Sequence, residues 1–148
     1  MQNGIDNRTA PLGAMVLRLA LGVMFLAHGA YLKGVVFTLP GTAQFFERIG
    51  LPGFLAYAVF TMETLGGIAL ILGVQTRLAA AALVPVLLGA LWAHSGAGWL
   101  FTNQGGGWEY PLFLTVAAVV QALVGGGAYQ LSRDLELPVL GRVAAAVR

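Results

Sequence analysis

An almost unbroken apolar run, LGAMVLRLALGVMFLAHGAYL at residues 12–32, carries Arg18 and His28 inside it. About 20 helical residues, each rising about 1.5 Å, cover the roughly 30 Å hydrocarbon core of a bilayer, so this run is long enough to cross one. An arginine near the middle of a spanning helix costs on the order of 3 kcal/mol to insert, and such residues usually face other protein groups or water. The run therefore predicts a membrane helix whose two ionisable side chains point into a protein interior.

Composition favours the same class of protein. Of the 148 residues, 58% are hydrophobic and 9% are charged, whereas a soluble domain averages about 25% charged residues. Cysteine is absent, which excludes disulfides, thiolate metal sites and thiol redox chemistry, so any electrons would travel on a bound cofactor or substrate. The basic residues are scattered and no aromatic and basic stripe accompanies them, which argues against nucleic-acid binding. Because the first apolar run exceeds the roughly 7 to 15 residues of a signal-peptide core, we expect a permanent span and not a cleaved leader.

Four apolar runs predict one all-α, integral-membrane four-helix bundle covering residues 1–148. The predicted spans are about 12–32, 53–74, 78–94 and 110–130, followed by a tail at 131–148. Short cytoplasmic loops carry an excess of positive charge, so we expect both termini in the cytoplasm. The charges behind this expectation are Arg8, Arg77, Arg133, Arg142 and Arg148 on the side of the termini, against Lys33 and Arg48 on the other.

The first outward connection carries the sequence GTAQFFERIGLPG at residues 41–53. A polar N-cap candidate, Thr42, precedes an apolar side with two phenylalanines, and Gly50 and Pro52 supply a stop. The pattern predicts a short interfacial helix that lies on the membrane surface and begins at Thr42.

Two buried charges are expected to pair. Arg18 shares one face of the first helix with Gly22 and Gly29, so this face should meet another helix. Glu63 lies about ten residues into the second run, roughly 15 Å deep, and a glycine pair follows it on a packing face. Arg18 and Glu63 are thus predicted to form a buried pair. Either the pair fixes helix packing, or Glu63 titrates during proton or substrate handling.

Two histidines predict a second polar group. His28 and His94 lie at the same distance from the starts of two outward-running spans, so the imidazoles should reach one depth. Glu109 and Tyr110 open the fourth span at that level, beside Trp108, and Lys33 adds an amine at the end of the first span. His28, His94 and Glu109 are the candidate catalytic groups, and the candidate cofactor-binding residues are His28, His94, Trp108, Glu109 and Tyr110.

Two kinds of ligand suit this group. Two histidines and a carboxylate can form the first shell of zinc, copper or iron, which makes His28, His94 and Glu109 candidate metal ligands. The same side chains can donate to the two oxygens of a quinone and carry the accompanying protons, and we favour this reading over a transition metal. The aromatic, glycine-rich connection at residues 94–109 is either an interfacial aromatic belt or a lid over a planar ligand.

At these residues the sequence resembles the DoxX family of small four-helix membrane proteins. The resemblance implies a protein of the bacterial cytoplasmic (inner) membrane, connected with quinone, sulfur or oxidative-stress handling, since the family name comes from a subunit of thiosulfate:quinone oxidoreductase. It also implies that Arg18, His28, Glu63, His94 and Glu109 are the polar signature of the family. The matching stretches are LRLALGVMFLAHGAYLK, FFERIGLPGFLAY, METLGGIALILGVQTRLAA, ALWAHSGAGW and GGWEYPLFLTVAAVVQALVGGGAYQLSRD.

Three functions follow as expectations. The first is a membrane component of an oxidoreductase system, such as a quinone-linked oxidoreductase subunit, that binds a quinone-like or other small redox molecule in an outward-facing polar pocket. The alternative is a non-catalytic scaffold that recruits soluble redox or stress-response enzymes through the basic tail at residues 133–148. A small transporter is disfavoured, because four helices without an evident repeat leave little room for alternating access. The expected partners are the lipid bilayer, a soluble redox enzyme or second subunit, and a further copy of the chain.

Overall fold

The computed structural model describes residues 6–135 of the chain. Helix α1 (Ala10–Leu26) continues directly into a π-helical segment (Ala27–Val36), called the π segment below. Helices α2 (Leu39–Arg48), α3 (Leu55–Leu72) and α4 (Thr76–His94) follow, then a short 3-10 turn (Ser95–Ala97) and α5 (Glu109–Val124). Residues 6–135 contain no strand, and the predicted all-α bundle with a short helix in the first long connection is confirmed.

The four long helices form a closed ring. Helix α1 packs on α3 and α5, and α4 packs on the same two neighbours. One end of the ring holds the starts of α1 and α4 and the ends of α3 and α5; we call it the Arg18 end and the opposite one the His28 end. The core between the helices is apolar, and its buried members are Leu21, Phe25, Leu70, Ala80, Leu83, Leu87, Ala117 and Ala118.

The outer surface of this ring is also apolar. Val16, Leu65 and Phe113 are each at least 60% exposed, on three different helices. The continuous helices at 10–36, 55–72 and 76–97 are long and apolar enough to cross a membrane. Helix α5 is a shorter apolar helix of 16 residues, about 24 Å long. A helical ring that is apolar inside and outside is the architecture of a membrane protein.

Helices α1 and α3 approach closely through glycines, as the sequence predicts. A Cβ added to Gly22 would lie 2.9 Å from the carbonyl oxygen of Gly67, and one added to Gly29 would lie 2.8 Å from the Cβ of Glu63. Because any side chain would force the helices apart, these glycines set the distance between α1 and α3. Arg18 and Phe25, on the same face of α1, are 2% and 3% exposed.

Helix α2 begins earlier than predicted. Thr38 precedes it with φ at 62°, and its side chain accepts a hydrogen bond from the backbone N–H of Gly41 (3.3 Å). Pro40 lies in the first turn, where its missing N–H removes no helical bond. Thr42 is buried inside the helix and donates its hydroxyl to the carbonyl of Thr38 (2.9 Å), so the predicted N-cap at Thr42 is wrong.

Helix α5 ends at Val124, before the predicted boundary at residue 130. Gly125 and Gly127 have φ of 82° and 69°, which glycine adopts without the steric cost that other residues meet. The chain at 125–134 then crosses the Arg18 end. Its backbone N–H groups donate to other elements: Ala128 to Pro11 (2.9 Å), Leu131 to Leu72 (3.2 Å) and Ser132 to Gly73 (3.2 Å).

Arg18 does not pair with Glu63, so that prediction is wrong. All five of its N–H groups donate to backbone carbonyls, and the residue is 2% exposed. The acceptors in α3, Leu70 and Ile71, lie about two turns beyond Glu63, too far along the helix for one guanidinium to serve both. The five bonds join Nε to Gly126 (2.9 Å), Nη1 to Leu70 (2.9 Å) and Ile71 (2.7 Å), and Nη2 to Ala128 (3.1 Å) and Tyr129 (2.9 Å).

A second arginine, Arg77, connects α4 with the end of α5 at the same end of the bundle. Arg77 at the start of α4 donates to the carbonyls of Ala122 (3.0 Å) and Leu123 (2.6 Å), which are left free by the end of α5. Its Nε lies 3.9 Å from Oδ2 of Asp134, and that oxygen also accepts from the backbone N–H of Gly126 (3.0 Å). Cations at helix C-termini are stabilising because free carbonyls there carry partial negative charge.

Replacing Arg18 with lysine should destabilise the protein. An ammonium has three N–H groups and cannot reach five separate carbonyls, so at least two of them lose their donor in a buried place, at about 2–4 kcal/mol in total. We expect R18K to lower the melting temperature of the purified protein in detergent. Arg48→Lys, at an exposed position on α2, is the matched control, and equal melting of the two variants would contradict the assigned role.

Candidate functional site

The π segment places His28 and Lys33 together. In π-helical geometry the backbone bonds join residues five apart, which brings Lys33 over the turn that holds His28. The Nζ of Lys33 donates to the carbonyl oxygen of His28 (3.3 Å) and to Oε2 of Glu63 (2.6 Å). The lysine thus points back into the bundle.

Glu63 has Lys33, and not Arg18, as its counterion. The side chains of Lys33 and Glu63 are 18% and 9% exposed. A carboxylate at this depth requires a partner, because an unpaired buried charge is strongly destabilising. The ion pair therefore allows a charged side chain to remain in the middle of α3, next to the close contact with Gly29.

His28 has a defined tautomer in its neutral form. Its Nδ1 lies 2.8 Å from the carbonyl oxygen of Met24. Since a carbonyl only accepts, Nδ1 must carry the proton, and Nε2 of the neutral ring is then a hydrogen-bond acceptor with a free lone pair. The ring lies beside that of Tyr110, with 6.0 Å between the centroids and 31° between the planes.

Five buried side-chain polar atoms of the described residues have no hydrogen-bond partner, and two of them, both hydroxyl groups, belong to residues next to the π segment. Neither the hydroxyl of Tyr110 nor that of Thr64 has a partner among the described residues. Thr64 lies against Gly29, where a Cβ would be 3.0 Å from its Oγ1. Buried polar groups are nearly always satisfied, so unsatisfied ones in a native fold require an explanation such as a ligand or a water molecule. We call the five residues His28, Lys33, Glu63, Thr64 and Tyr110 the His28 cluster.

The other predicted site residues hold the connection above this cluster. His94 donates from Nδ1 to the carbonyl of Gly105 (2.8 Å), and a carboxylate oxygen of Glu109 accepts from the backbone N–H of Phe101 (3.0 Å). The rings of Trp99 and Trp108 pack edge to face, with centroids 4.5 Å apart. The connection between α4 and α5 is therefore a folded cap, and its anchors are the side chains that the sequence placed in the site.

The three candidate metal ligands are not brought together. Within residues 6–135, no three His, Cys, Asp or Glu side chains are grouped so that they could hold a metal ion. His94 and Glu109 are already engaged with backbone groups of the cap, which explains why the set of His28, His94 and Glu109 does not assemble.

A cavity of about 500 Å³ lies at the opposite end of the bundle, between the start of α1 and the end of α5. Its lining is apolar, and it is not the predicted polar pocket. The residues around it are Ala10, Pro11, Gly13, Ala14, Leu17, Val120, Val124 and Gly127.

The sequence did not predict the contact of Lys33 with Glu63 or the presence of Thr64 in the cluster. Lys33 was expected near the histidines but not as the partner of Glu63, because α-helical spacing does not bring it over the turn of His28. Thr64 carried no signal, since a threonine in an apolar run normally bonds to the backbone of its own helix. An ionisable residue five positions after the histidine was the one available clue.

A family model described as DoxX matches residues 13–96. This chain belongs to the DoxX family. The matched region contains Arg18, His28, Lys33 and Glu63, and it ends before Tyr110 contributes its ring to the cluster. The family resemblance noted from the sequence is confirmed.

Two curated relatives are similar to the chain. A Bacillus subtilis (strain 168) protein named "Putative oxidoreductase CatD" is 35% identical over 86 residues, which are 57% of this chain and 61% of CatD. The "Inner membrane protein YqjF" of Escherichia coli (strain K12) is 30% identical over 127 residues, 84% of this chain and 92% of YqjF. The alignment with CatD thus covers about three fifths of that protein. No solved structure matches this DoxX protein.

The ion pair of Lys33 and Glu63 predicts coupled effects on stability. K33M leaves a buried carboxylate without its counterion and should cost about 1–3 kcal/mol, below the value for a fully buried pair because the lysine is partly exposed. Adding E63Q removes that charge, so the double variant should melt at or above the temperature of K33M.

K33M, E63Q and the double variant together form a double-mutant cycle. The control is the same cycle at the exposed residues Glu47 and Arg48 on α2, where Glu47→Gln and Arg48→Met should act additively. Additive losses at Lys33 and Glu63 would show that the two charges are not coupled.

Proposed function

We propose that this DoxX protein is a membrane-embedded component of an oxidoreductase system and binds a quinone-like or other small redox molecule at the His28 end. The observation that carries this proposal is the His28 cluster. Inside an apolar bundle, the imidazole of His28, with Nε2 free, lies beside the Tyr110 ring, whose buried hydroxyl has no hydrogen-bond partner among the described residues. Such convergent polar groups within an apolar site are what a small ligand with oxygen atoms requires.

The chemistry of the cluster suits a molecule that gains and loses protons. A quinone, when bound, would supply the electron-accepting couple, and the chain contains no cysteine for that role. His28 would accept or return a proton at Nε2, and Tyr110 would hold the ligand oxygen by its hydroxyl. Lys33 and Glu63 form a charged pair next to this position, where they can orient the ligand electrostatically.

The cap would cover the ligand. Trp99 and Trp108 are packed together, and His94 and Glu109 fix the cap through backbone groups. These two residues, which the sequence suggested as catalytic, act in this proposal as positioning residues for the cap. Gly98, Gly105 and Gly106 all have positive φ, so the connection has glycine at each of its sharp turns.

The relatives support the coarse part of the proposal. CatD is named as an oxidoreductase and YqjF as an inner membrane protein. We therefore propose the cytoplasmic (inner) membrane as the location of this chain. The choice of a quinone rests on the His28 cluster and not on either name.

We propose that the Arg18 end faces the cytoplasm and the His28 end faces outward. Arg8, Arg77 and Arg133 lie toward the Arg18 end, whereas Lys33 at the opposite end is neutralised by Glu63. The remaining positive charges of the tail, Arg142 and Arg148, fall outside the described residues. Both termini would then be cytoplasmic, in accordance with the positive-inside rule.

Binding of a quinone tests the proposal. The full chain, purified in mild detergent, is expected to retain a quinone detectable by mass spectrometry, or to bind added duroquinone or its hydroquinone. Replacing His28 with alanine and Tyr110 with phenylalanine should each reduce this binding about tenfold or more, because each removes a hydrogen-bonding group. Tyr31→Phe is the matched control, since Tyr31 is 60% exposed on the same π segment.

A different result would favour the scaffold hypothesis. If neither form binds and redox activity depends only on a copurifying soluble enzyme, the quinone site is contradicted. Removal of residues 136–148, which lie outside the described residues, should then abolish recruitment of that enzyme in a pull-down, whereas the quinone hypothesis predicts that binding survives this truncation.

A further inference from the structure

We infer that the proposed site takes its ligand in the hydroxyl-bearing form, as a hydroquinone or other phenol, in preference to the quinone. This inference rests on the proposed function and specifies which redox state the site binds more tightly. It follows from the hydrogen-bonding capacity of the groups in the His28 cluster.

His28 is the group that discriminates between the two forms. Its Nδ1 is held by the carbonyl of Met24 at 2.8 Å, so the proton of the neutral ring is fixed on the side away from the ligand. Nε2 can then only accept a hydrogen bond. A quinone oxygen also only accepts, and it would place two lone pairs against each other.

A hydroxyl group resolves this conflict. One phenolic oxygen can donate its hydrogen to Nε2 of His28 and accept a hydrogen bond from the buried hydroxyl of Tyr110, which lacks a partner among the described residues. Both protein groups and the ligand hydroxyl are then satisfied. Sites built to pair with a hydroxyl reject analogues that lack it, because their own polar atoms would be left unpaired.

The neighbouring charges do not reverse this preference. Lys33 is the other donor of the cluster, and two of its N–H groups are already directed to Glu63 and to the carbonyl of His28. Glu63 is an acceptor and also favours a ligand that donates. The third N–H of Lys33 and the hydroxyls of Thr64 and Tyr110 can donate to either form of the ligand, so they do not discriminate between the two forms. Nε2 of His28 and the carboxylate of Glu63 only accept, and only the hydroxyl-bearing form can donate to them.

Equilibrium binding of one redox pair tests the inference. Duroquinone and its hydroquinone are suitable probes because the fully substituted ring does not react with lysine. With the full chain in detergent under nitrogen, calorimetry should give a dissociation constant at least about tenfold lower for the hydroquinone than for the quinone.

Two substitutions at His28 separate its two nitrogens. In His28→Asn the amide can still donate to Met24, but nothing replaces Nε2, so the preference for hydroquinone should fall to about twofold or less. In His28→Gln the amide reaches toward the position of Nε2 and can offer an N–H, so binding of the quinone should improve relative to the hydroquinone. Tyr31→Phe should retain the preference of the unmodified protein.

The outcomes separate failure of the proposed function from failure of the inferred preference. If neither compound binds, the proposed function fails. If both bind with equal affinity, or the quinone binds more tightly, the site is upheld but the inferred preference is overturned. Preference for the hydroquinone that survives both His28 substitutions would overturn the role of Nε2.

Discussion

The fold depends on the need of one buried guanidinium for five hydrogen-bond acceptors. Inside a regular helix the carbonyls already accept bonds from the same helix, so free main-chain acceptors are concentrated where helices end. Arg18 obtains two from the last turn of α3 and three from the chain after α5. The end of α5 at Val124 thus provides three of the five acceptors of the arginine.

This requirement fixes the relative heights of the helices. The end of α3 must reach Arg18 from one side, and the segment 125–134 must cross beneath it from the other. Gly73, at φ 67°, lies where a Cβ would be 2.9 Å from the guanidinium carbon of Arg18. With α1 and α3 joined at this end by Arg18, the close contacts at Gly22 and Gly29 keep the two helices near each other along their length. Glu63 therefore lies next to the π segment.

Both ends of the bundle contain buried polar atoms without a hydrogen-bond partner among the described residues, but they differ in how their charged groups are held. At the Arg18 end, the guanidinium of Arg18 has all five of its donors in use, and Arg77 donates to the free carbonyls of α5. The buried atoms without a partner at this end are side-chain oxygens of Thr76, Gln121 and Gln130. At the His28 end, a lone pair of His28 and two buried hydroxyls are unused in contacts within the described residues. We assign structure to the first end because backbone carbonyls of several elements hold both of its arginines. We propose binding at the second end because an ionisable imidazole with a free lone pair lies there beside the ring of Tyr110.

The sequence was sufficient for features that depend on helical period and on length. It predicted the apolar helices, the glycine face of α1 and the burial of Arg18 and Glu63. It could not predict the partners, because the acceptors of Arg18 are main-chain carbonyls, which every residue has. Depth counted along an ideal α-helix also placed His94 in the site, whereas its ring is held by Gly105 in the cap.

The π segment explains why the sequence did not predict the ion pair of Lys33 with Glu63. Its wider turn brings residues five apart into register, so Lys33 lies over His28 and reaches Glu63, a contact that α-helical spacing does not produce. The change of geometry begins at Ala27, so Gly29, the second glycine that packs tightly against α3, already lies in the π segment. A helix that is α-helical beside the core and π-helical beside the cluster can thus bury an arginine for stability and present a histidine and a lysine at the proposed site, where the lysine pairs with Glu63 of α3. The local helix type, and not the choice of residues alone, separates the two roles along one membrane span.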